Sequence, residues 1–400
     1  MRAFGGFAPA MFRRHGYVWR AVRVEVMSHI DLSNNDSRPA SPHDVPRQSG
    51  PASGPATWPD GVSLPSLDDI WERAHVVQLP MNIRFRGIMQ REVMLIDGPQ
   101  GWSEWGAFLE YGPAESAMWL ASALEMGWVG PPALLREWVP VNGTIPACDP
   151  ARVPELLDRY AGISTVKVKV AEKGQTFDDD CARVRAVREA RPDINIRVDA
   201  NGGWTVSEAY EAVRRFLRDG SLDYVEQPCP RLEDLADLRK ILADEGLSAR
   251  IAADESIRKG SDPYRAIRMG AIDVAVVKAA PLGGPRAVIA VAEEARKHGV
   301  AVTVSSAIDS VVGMYAGLCA ASAVDSQPAG LATGALMAGD VGDPRPIVDG
   351  MMAVEPRTPD LDALARHRAP EDRVQWWKER LAAAWKHMPG VSDMPGNAAD

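Results

Sequence analysis

Charged side chains end five successive apolar runs in the middle of the sequence, and their types and spacing could do chemistry. They are Lys169, Asp199, Glu226, Asp254 and Lys278. The intervals between them are 30, 27, 28 and 24 residues, each close to one strand-plus-helix repeat. Each alone has an ordinary explanation, such as a turn after Asp199 or a helix cap at Asp254. Five such ends in succession indicate one shared site.

The three acids of this set predict a metal site. Carboxylates that converge on one point repel each other unless a cation lies between them. A set of oxygen donors favours Mg²⁺, or alternatively Mn²⁺, over zinc. Glu255 directly follows Asp254, so the sequence leaves open which of these two acids faces the site.

A second lysine, Lys167, lies in the same run as Lys169. Strand side chains alternate between faces, so both lysines share one face of the run 165–170. On an isolated strand they would form a solvated face. In a parallel strand covered on both sides they must instead point into the mouth of the sheet or barrel.

Strand-like runs alternate with helical patterns from about residue 140 onward. The runs are 140–145, 165–170, 194–198, 222–225, 250–253, 272–277, 300–304 and a weaker one at 329–333. Amphipathic helices fit 177–190, 206–218 and 285–298. This order predicts an α/β barrel of parallel strands. A doubly wound open sheet is the alternative, but the first run lacks the glycine-rich phosphate loop that usually follows it there.

Four segments are predicted along the chain. They are a disordered extension over 1–64, an α+β capping domain over 65–138 that includes part of the C-terminal tail, a barrel over 139–342 and a tail over 343–400 with a docking helix. The first segment is rich in Ser, Pro, Asn and Gly, which bury little apolar surface. In the capping domain, strand-like runs at 91–96 and 101–108 precede a helix at 113–126.

The composition indicates which kind of partner and which cell compartment to expect. The net charge of −9 argues against a nucleic-acid binder. The four cysteines form no CxxC pair or metal-ligand spacing, which predicts buried thiols in the reducing cytoplasm. No run of 18 apolar residues suggests a membrane span. We therefore expect a cytoplasmic protein whose partner is a small-molecule carboxylate; the sequence does not give its oligomeric state.

The motifs around these strand ends resemble the muconate-lactonizing-enzyme branch of the enolase superfamily. The matching stretches are 165–169, 198–201, 225–228, 253–256 and 277–278, with further likeness at 85–88, 91–92, 101–111, 141–144, 281–284 and 304–309. The resemblance implies a modified (β/α)8-type barrel, written (β/α)7β, with a smaller capping domain. It also implies that Asp199, Glu226 and Asp254 bind the metal, that Lys169 is the base, that Lys278 faces it, and that Lys167 supports Lys169.

Within that branch, the stretches in the cap are similar to those of one dehydratase group. These enzymes aromatise 2-succinyl-6-hydroxy-2,4-cyclohexadiene-1-carboxylate in menaquinone biosynthesis. Two facing lysines would also suit a racemase of N-acylamino acids or an epimerase of dipeptides. A non-catalytic, carboxylate-binding barrel is a further alternative. One departure is Val311, where the branch often has a serine, and it bears on substrate specificity.

Overall fold

The structure is a computed structural model that describes residues 63–85 and 88–388, without the side chains of 83–85. The predicted extension lies outside the described residues, except for its last two positions. Residues 86–87 of the family-like stretch 85–88 also lie outside them. Within the described ranges, no helix combines the length and apolarity needed to cross a membrane.

Seven parallel strands form the central sheet, and each pairs with the next along the chain. They are β5 (Gly143–Ile145), β6 (Thr165–Lys169), β7 (Asn195–Asp199), β8 (Tyr224–Glu226), β9 (Ile251–Ala253), β10 (Val274–Val277) and β11 (Ala301–Val304). The predicted eighth run forms no strand, yet it closes the ring. Ala329 N donates to Pro140 O at 2.7 Å, and Gly330 N donates to Val304 O at 2.8 Å. The predicted (β/α)7β barrel is confirmed.

Helices on the outside of the sheet connect its strands. They are α3 (Val153–Leu157), α4 (Phe177–Ala190), α5 (Val206–Arg218), α6 (Leu232–Asp244), α7 (Asp262–Arg268), α8 (Ala279–Leu282), α9 (Pro285–Lys297) and α10 (Met314–Ala323). α4 and α5 have the predicted bounds because a capping box starts each. Thr176 and Thr205 accept bonds from the third helical N–H group, and the acids at those positions bond back.

The capping domain holds one strand more than the sequence indicated. α1 (Leu67–Glu72) leads into β1 (Ala74–Phe85), β2 (Ile88–Gly98) and β3 (Gly101–Trp105), which form an antiparallel sheet. α2 (Pro113–Leu124) follows and ends in one π-helical turn. The sequence did not predict β1 because this strand contains Pro80, and a proline argues against a strand within a sheet. Its position at the edge of the sheet tolerates that proline.

The C-terminal segment returns to the capping domain. β12 (Met351–Ala353) pairs with the short strand β4 (Trp138–Pro140), and α11 (Leu361–Arg366) and α12 (Glu371–Trp385) follow. On α12, Trp377 is fully buried and its indole N–H donates to Glu92 Oε2 at 2.9 Å. Arg380 donates to the carbonyls of Ala107 and Phe108 at 3.1 and 2.7 Å. The cap and the last helix therefore share one apolar core.

One buried arginine fills the end of the barrel that lies away from the C-terminal strand ends. Arg197 is fully buried and pairs with Asp223 at 2.7 Å. It also donates to Asn142 Oδ1 at 2.9 Å and to Pro328 O at 2.6 Å, and it stacks 4.5 Å from the ring centre of Tyr224. This guanidinium joins several strands of the barrel through one side chain.

Arg197→Ala should destabilise the fold strongly. The substitution leaves Asp223 with only the more exposed Arg250 as its charge partner. Removing one partner of a buried ion pair costs about 3–5 kcal/mol of unfolding free energy. Urea denaturation measures this loss. As a control, Arg185→Ala breaks an exposed pair with Asp219, 3.3 Å apart, and should cost less than about 1 kcal/mol. Equal losses in the two variants would contradict the structural role assigned to Arg197.

Candidate active site

The structure brings the six predicted site residues together at one end of the barrel. Lys167 and Lys169 lie on β6, Asp199 and Glu226 end β7 and β8, and Asp254 and Lys278 directly follow β9 and β10. The strand register aligns three of these residues in one row, because Lys169 pairs with Asp199 and Asp199 pairs with Glu226. All six side chains therefore start from the C-terminal ends of five adjacent strands.

Lys167 lies between two of the buried carboxylates. Its ammonium is 2.6 Å from Glu226 Oε1 and 3.0 Å from Asp199 Oδ2. Both carboxylates are fully buried. Burial would lower the pKa of Lys167, but the charges of Asp199 and Glu226 outweigh it and hold that pKa well above its ordinary value. Lys167 is therefore a permanently charged member of the cluster.

Lys169 also contacts the carboxylate of Asp199. Its ammonium is 2.6 Å from Asp199 Oδ2 and donates to Asn201 Oδ1 at 2.8 Å. Asn201 has a φ of +47°, a conformation that asparagine adopts more readily than most residues. Burial would raise the pKa of Asp199, yet Lys167 and Lys169 together hold it well below its ordinary range. Asp199 is thus ionised at neutral pH.

The second lysine site lies four strands further around the barrel, at the end of β10. Lys278 pairs directly with Asp254 Oδ1, and Arg258 lies 3.5 Å from the other oxygen of Asp254. Burial would raise the pKa of Asp254, but Lys278 and Arg258 bring it to about 2. The neighbouring Glu255 pairs instead with Arg258 at 2.6 Å. Between the two adjacent acids, the structure directs Asp254 toward the lysine.

Glu226 is the least neutralised of the three carboxylates. Burial and the nearby charge of Asp199 raise its pKa to about 7, although Lys167 opposes the rise. The Tyr224 hydroxyl donates to Glu226 Oε2 at 3.3 Å. This fully buried acid therefore lies where more positive charge would stabilise its ionised form.

Sequence reasoning missed several residues that shape this site. Gln227 Oε1 accepts bonds from Asp254 N at 3.0 Å and from Ser256 N at 3.2 Å, so it ties the end of β8 to the loop after β9. Its φ of +37° turns the chain there. Gln227 lies within the family-like stretch 225–228, but the sequence assigns no role to its side chain or to that of Arg258. Their contacts with Asp254 and Glu255 become visible only in the fold. Only their place beside the predicted strand ends points to them.

Val311, where the family resemblance departs, is buried in an apolar cluster. It is 6% exposed and belongs to the apolar cluster that joins the cap to the loop after β11. Its backbone N–H donates to Asp340 Oδ2 at 2.9 Å. The bearing of this position on specificity stays a prediction.

The donor chemistry of the three carboxylates fits a hard divalent cation. Asp199, Glu226 and Asp254 are buried, lie on neighbouring strand ends and supply only oxygen atoms. In the described part of the chain, no three His, Cys, Asp or Glu side chains are grouped closely enough to hold a metal as they are placed. Lysine ammoniums pair with Asp199, Glu226 and Asp254 instead. The ligand roles of the three acids thus stay a prediction.

Comparison with known proteins places this geometry in a family. Residues 152–359 match the model "Enolase C-terminal domain-like", and residues 76–127 match "Enolase N-terminal domain-like". Among solved structures, the chain is similar to muconate lactonizing enzyme from Pseudomonas fluorescens, with a TM-score of 0.63 and 22% identity over 74% of this chain and 98% of that one. That likeness supports the fold.

Curated relatives agree with the narrower resemblance. The o-succinylbenzoate synthase of Mycolicibacterium smegmatis is 52% identical over 322 residues, covering 80% of this chain and 97% of the relative. That of Mycobacterium marinum is 48% identical over 334 residues, covering 83% and 96%. With these relatives and the strand-end constellation in agreement, the chain belongs to the o-succinylbenzoate synthase family of the enolase superfamily.

Proposed function

We propose that this protein removes water from 2-succinyl-6-hydroxy-2,4-cyclohexadiene-1-carboxylate to give 2-succinylbenzoate, as a lyase of menaquinone biosynthesis. The observation that carries the proposal is the set of two lysine sites and three buried carboxylates on five adjacent strand ends. Relatives about half identical over nearly their whole length bear the name of this activity. The substrate is a small carboxylic acid.

We infer that a divalent cation, with Mg²⁺ preferred and Mn²⁺ possible, belongs to the site. Asp199, Glu226 and Asp254 would hold it. When bound, such a cation supplies Lewis-acid stabilisation of the negative charge that develops on the substrate carboxylate, worth several kcal/mol. Glu226, whose pKa stays raised beside Lys167, has the unbalanced charge that a cation would offset.

In the reaction, the residues of this chain move one proton and hold one charge. Lys169, as a neutral amine, takes the proton from the carbon that carries the carboxylate. The resulting enediolate pushes out the ring hydroxyl, and the C–O bond breaks. The proton on Lys169 joins the departing hydroxide, so water leaves and the ring becomes aromatic. Lys278 stays charged on the other side and stabilises the planar anion.

Lys167 orders the cluster rather than touching the substrate. Its contacts with Asp199 and Glu226 hold both carboxylates at the strand ends. Lys169 contacts the same carboxylate of Asp199. By fixing that carboxylate, Lys167 supports the position of Lys169.

A racemase or epimerase reaction is the second candidate. The observation that favours it is that Lys169 and Lys278 start from strands on different sides of the barrel mouth. Two such lysines could exchange a proton from opposite faces of a substrate. Incubation with N-succinyl amino acids in deuterium oxide tests this, because exchange of the α-proton requires the same base without loss of water.

The direct test is to mix the purified protein with the cyclohexadiene carboxylate and follow the ultraviolet absorbance of the diene. We expect metal-dependent loss of the diene as the ring aromatises. Mass spectrometry of the product checks for 2-succinylbenzoate. Absence of turnover by a folded, metal-loaded protein would overturn the proposed reaction and leave proton exchange as the activity to assay.

Replacing the base should remove turnover. Lys169→Ala lowers kcat by roughly 10²–10⁴-fold, the usual contribution of a general base. Steady-state kinetics measure this loss, and calorimetry should show that Mg²⁺ still binds. The control is Lys173→Ala, an exposed lysine four positions along the same segment, which should keep the activity of the unchanged protein. Comparable turnover in both variants would remove Lys169 from the mechanism.

Metal removal should abolish turnover and lower the melting temperature. A ligand that binds only the folded state stabilises it, by about 2.7 kcal/mol at 100 times its Kd. Adding Mg²⁺ after chelation should restore both quantities. Asp199→Asn should lose most of the Mg²⁺ response, whereas Asp193→Asn, an exposed acid two residues before the same strand begins, should keep it. A response retained in Asp199→Asn would argue against the ligand set.

A further inference from the structure

A buried glutamate of the capping domain contacts the barrel loop beside the second lysine. Glu104, near the end of β3, is 8% exposed, and its Oε2 accepts the backbone N–H of Ser310 at 2.9 Å. Two glycines leave room for its carboxyl. A Cβ at Gly313 would lie 2.5 Å from Glu104 Cδ, and one at Gly106 would lie 2.7 Å from Glu104 Oε1. The surrounding chain is therefore shaped around this one side chain.

A buried arginine of the cap holds the same loop from its other side. Arg91 is 1% exposed, and its Nε donates to Ile308 O at 3.1 Å. Its guanidinium also donates to Gly106 O, next to Glu104. Two charged cap side chains thus bind the backbone at both Ile308 and Ser310, on either side of Asp309.

The loop that they bind has an unfavourable backbone conformation. Ile308 has a φ of +61°, which is a strong outlier for a β-branched residue. Such a conformation persists only where surrounding contacts enforce it. Ser306 Oγ accepts the N–H groups of Ile308 and Asp309 at 3.0 and 3.3 Å. The barrel anchors the start of the loop, where Ser306 N donates to Gly330 O at 3.1 Å, and the cap bonds to Ile308 O and Ser310 N.

Asp309 lies at the middle of the strained loop, and its carboxyl accepts the Ala307 N–H at 3.1 Å. Burial raises its pKa, while that bond and the charges of Arg91 and Lys278 oppose the rise. The loop follows directly from a bond to the end of β10, where Ser305 N donates to Val277 O at 2.8 Å, next to Lys278. Asp309 and Glu104 line the same cavity of about 20 Å³, together with Ser103, whose buried hydroxyl has no hydrogen-bond partner among the described residues. The cap, the loop and Lys278 therefore form one connected unit.

We propose that Glu104 and Arg91 are positioning residues, which hold the strained loop Ser306–Ser310 and thereby keep the carboxyl of Asp309 within electrostatic range of Lys278. The inference rests on the proposed function, because Lys278 matters there as the charge that faces the planar anion. It adds a consequence: the cap sets the electrostatic surroundings of the second lysine through Glu104 and Arg91, which act by way of the loop.

Removing the glutamate side chain should lower kcat without weakening binding. Glu104→Ala should lose roughly 10- to 100-fold in kcat, the cost of a small misplacement at a reacting centre, with KM and Mg²⁺ affinity within about twofold. Glu104→Gln keeps an oxygen for the Ser310 N–H and should retain most of the activity. If the alanine variant fails to fold, Glu104→Asp replaces it, because it keeps the charge but is too short to make the bond.

Glu92→Gln is the matched control. Glu92 is also a partly buried glutamate of the cap, but it binds Arg373 and Trp377 of the last helix rather than the barrel loop. We expect a lower melting temperature and an unchanged kcat per folded molecule. A loss of kcat in Glu92→Gln equal to that in Glu104→Ala would mean that the effect is general loosening of the cap, which overturns the proposal.

A double variant tests whether Glu104 acts through Asp309. If Glu104 acts by placing Asp309, then Asp309→Asn and Glu104→Ala remove the same contribution, and the double variant should lose little more kcat than either alone. Residues that act independently give losses whose free energies add. Additive losses would therefore contradict the proposal, while shared losses would support it.

The pH dependence of unfolding gives a readout that needs no substrate. Burial and the charge of Asp309 raise the pKa of Glu104 to about 7, against the attraction of Arg91. The titratable and charged groups around this carboxyl are Arg91, Asp309 and Tyr315, with Lys278 beyond Asp309. A raised pKa means that the protonated form stabilises the fold, and this stability is lost as pH rises from about 5 through about 7.

Glu104→Gln should therefore gain stability over the unchanged protein across that window, because glutamine resembles the protonated acid. Melting curves at intervals between pH 5 and 8 measure the difference. A difference that stays constant with pH would overturn the buried pairing with Asp309. If the unchanged protein turns over the diene and Glu104→Ala has the same kcat, the positioning role is wrong and the proposed function stands. If the unchanged protein does not turn over, the proposed function fails and the melting curves still decide the pairing.

Discussion

Repulsion among three buried carboxylates is the constraint on which the site depends. Asp199, Glu226 and Asp254 are at least nine-tenths buried on neighbouring strand ends, where low polarity strengthens their mutual repulsion. Lys167 and Lys278 offset much of it, but Glu226 keeps a raised pKa. The same imbalance that would destabilise an ordinary core provides a place for a cation and for the negative charge of a reacting substrate.

The charged site and the interactions that stabilise the fold lie at different levels of the barrel. At the C-terminal strand ends the charged groups face the open mouth. Below them, Tyr224, Val274 and Val276 fill the interior, and Arg197 at the far end has its charge matched by Asp223. Parallel strands in register make this possible, because each repeat delivers one side chain to the same level as its neighbour.

The sequence predicted the barrel and the convergence of the site well, because both depend on local signals repeated along the chain. Charged residues that end apolar runs marked the strand ends, and capping boxes set the bounds of α4 and α5. Contacts between distant segments left no such signal. Glu104 and Ser310 lie 206 residues apart, and the meaning of either becomes visible only in the fold. Asp254 and Glu255 likewise differ only in which side chain reaches Lys278.

The return of the last helix to the cap bears on how the molecule is made. Gln78 N donates to His367 O, and Ala369 N donates to Val76 O, so the edge of β1 is completed by residues nearly 300 positions later. Loop closure over such a separation is slow, and a growing chain lacks these partners until its end emerges. The barrel can assemble from neighbouring repeats during synthesis, whereas the cap must wait for the C terminus. A truncated product would therefore carry the strand-end charges without the domain that covers them.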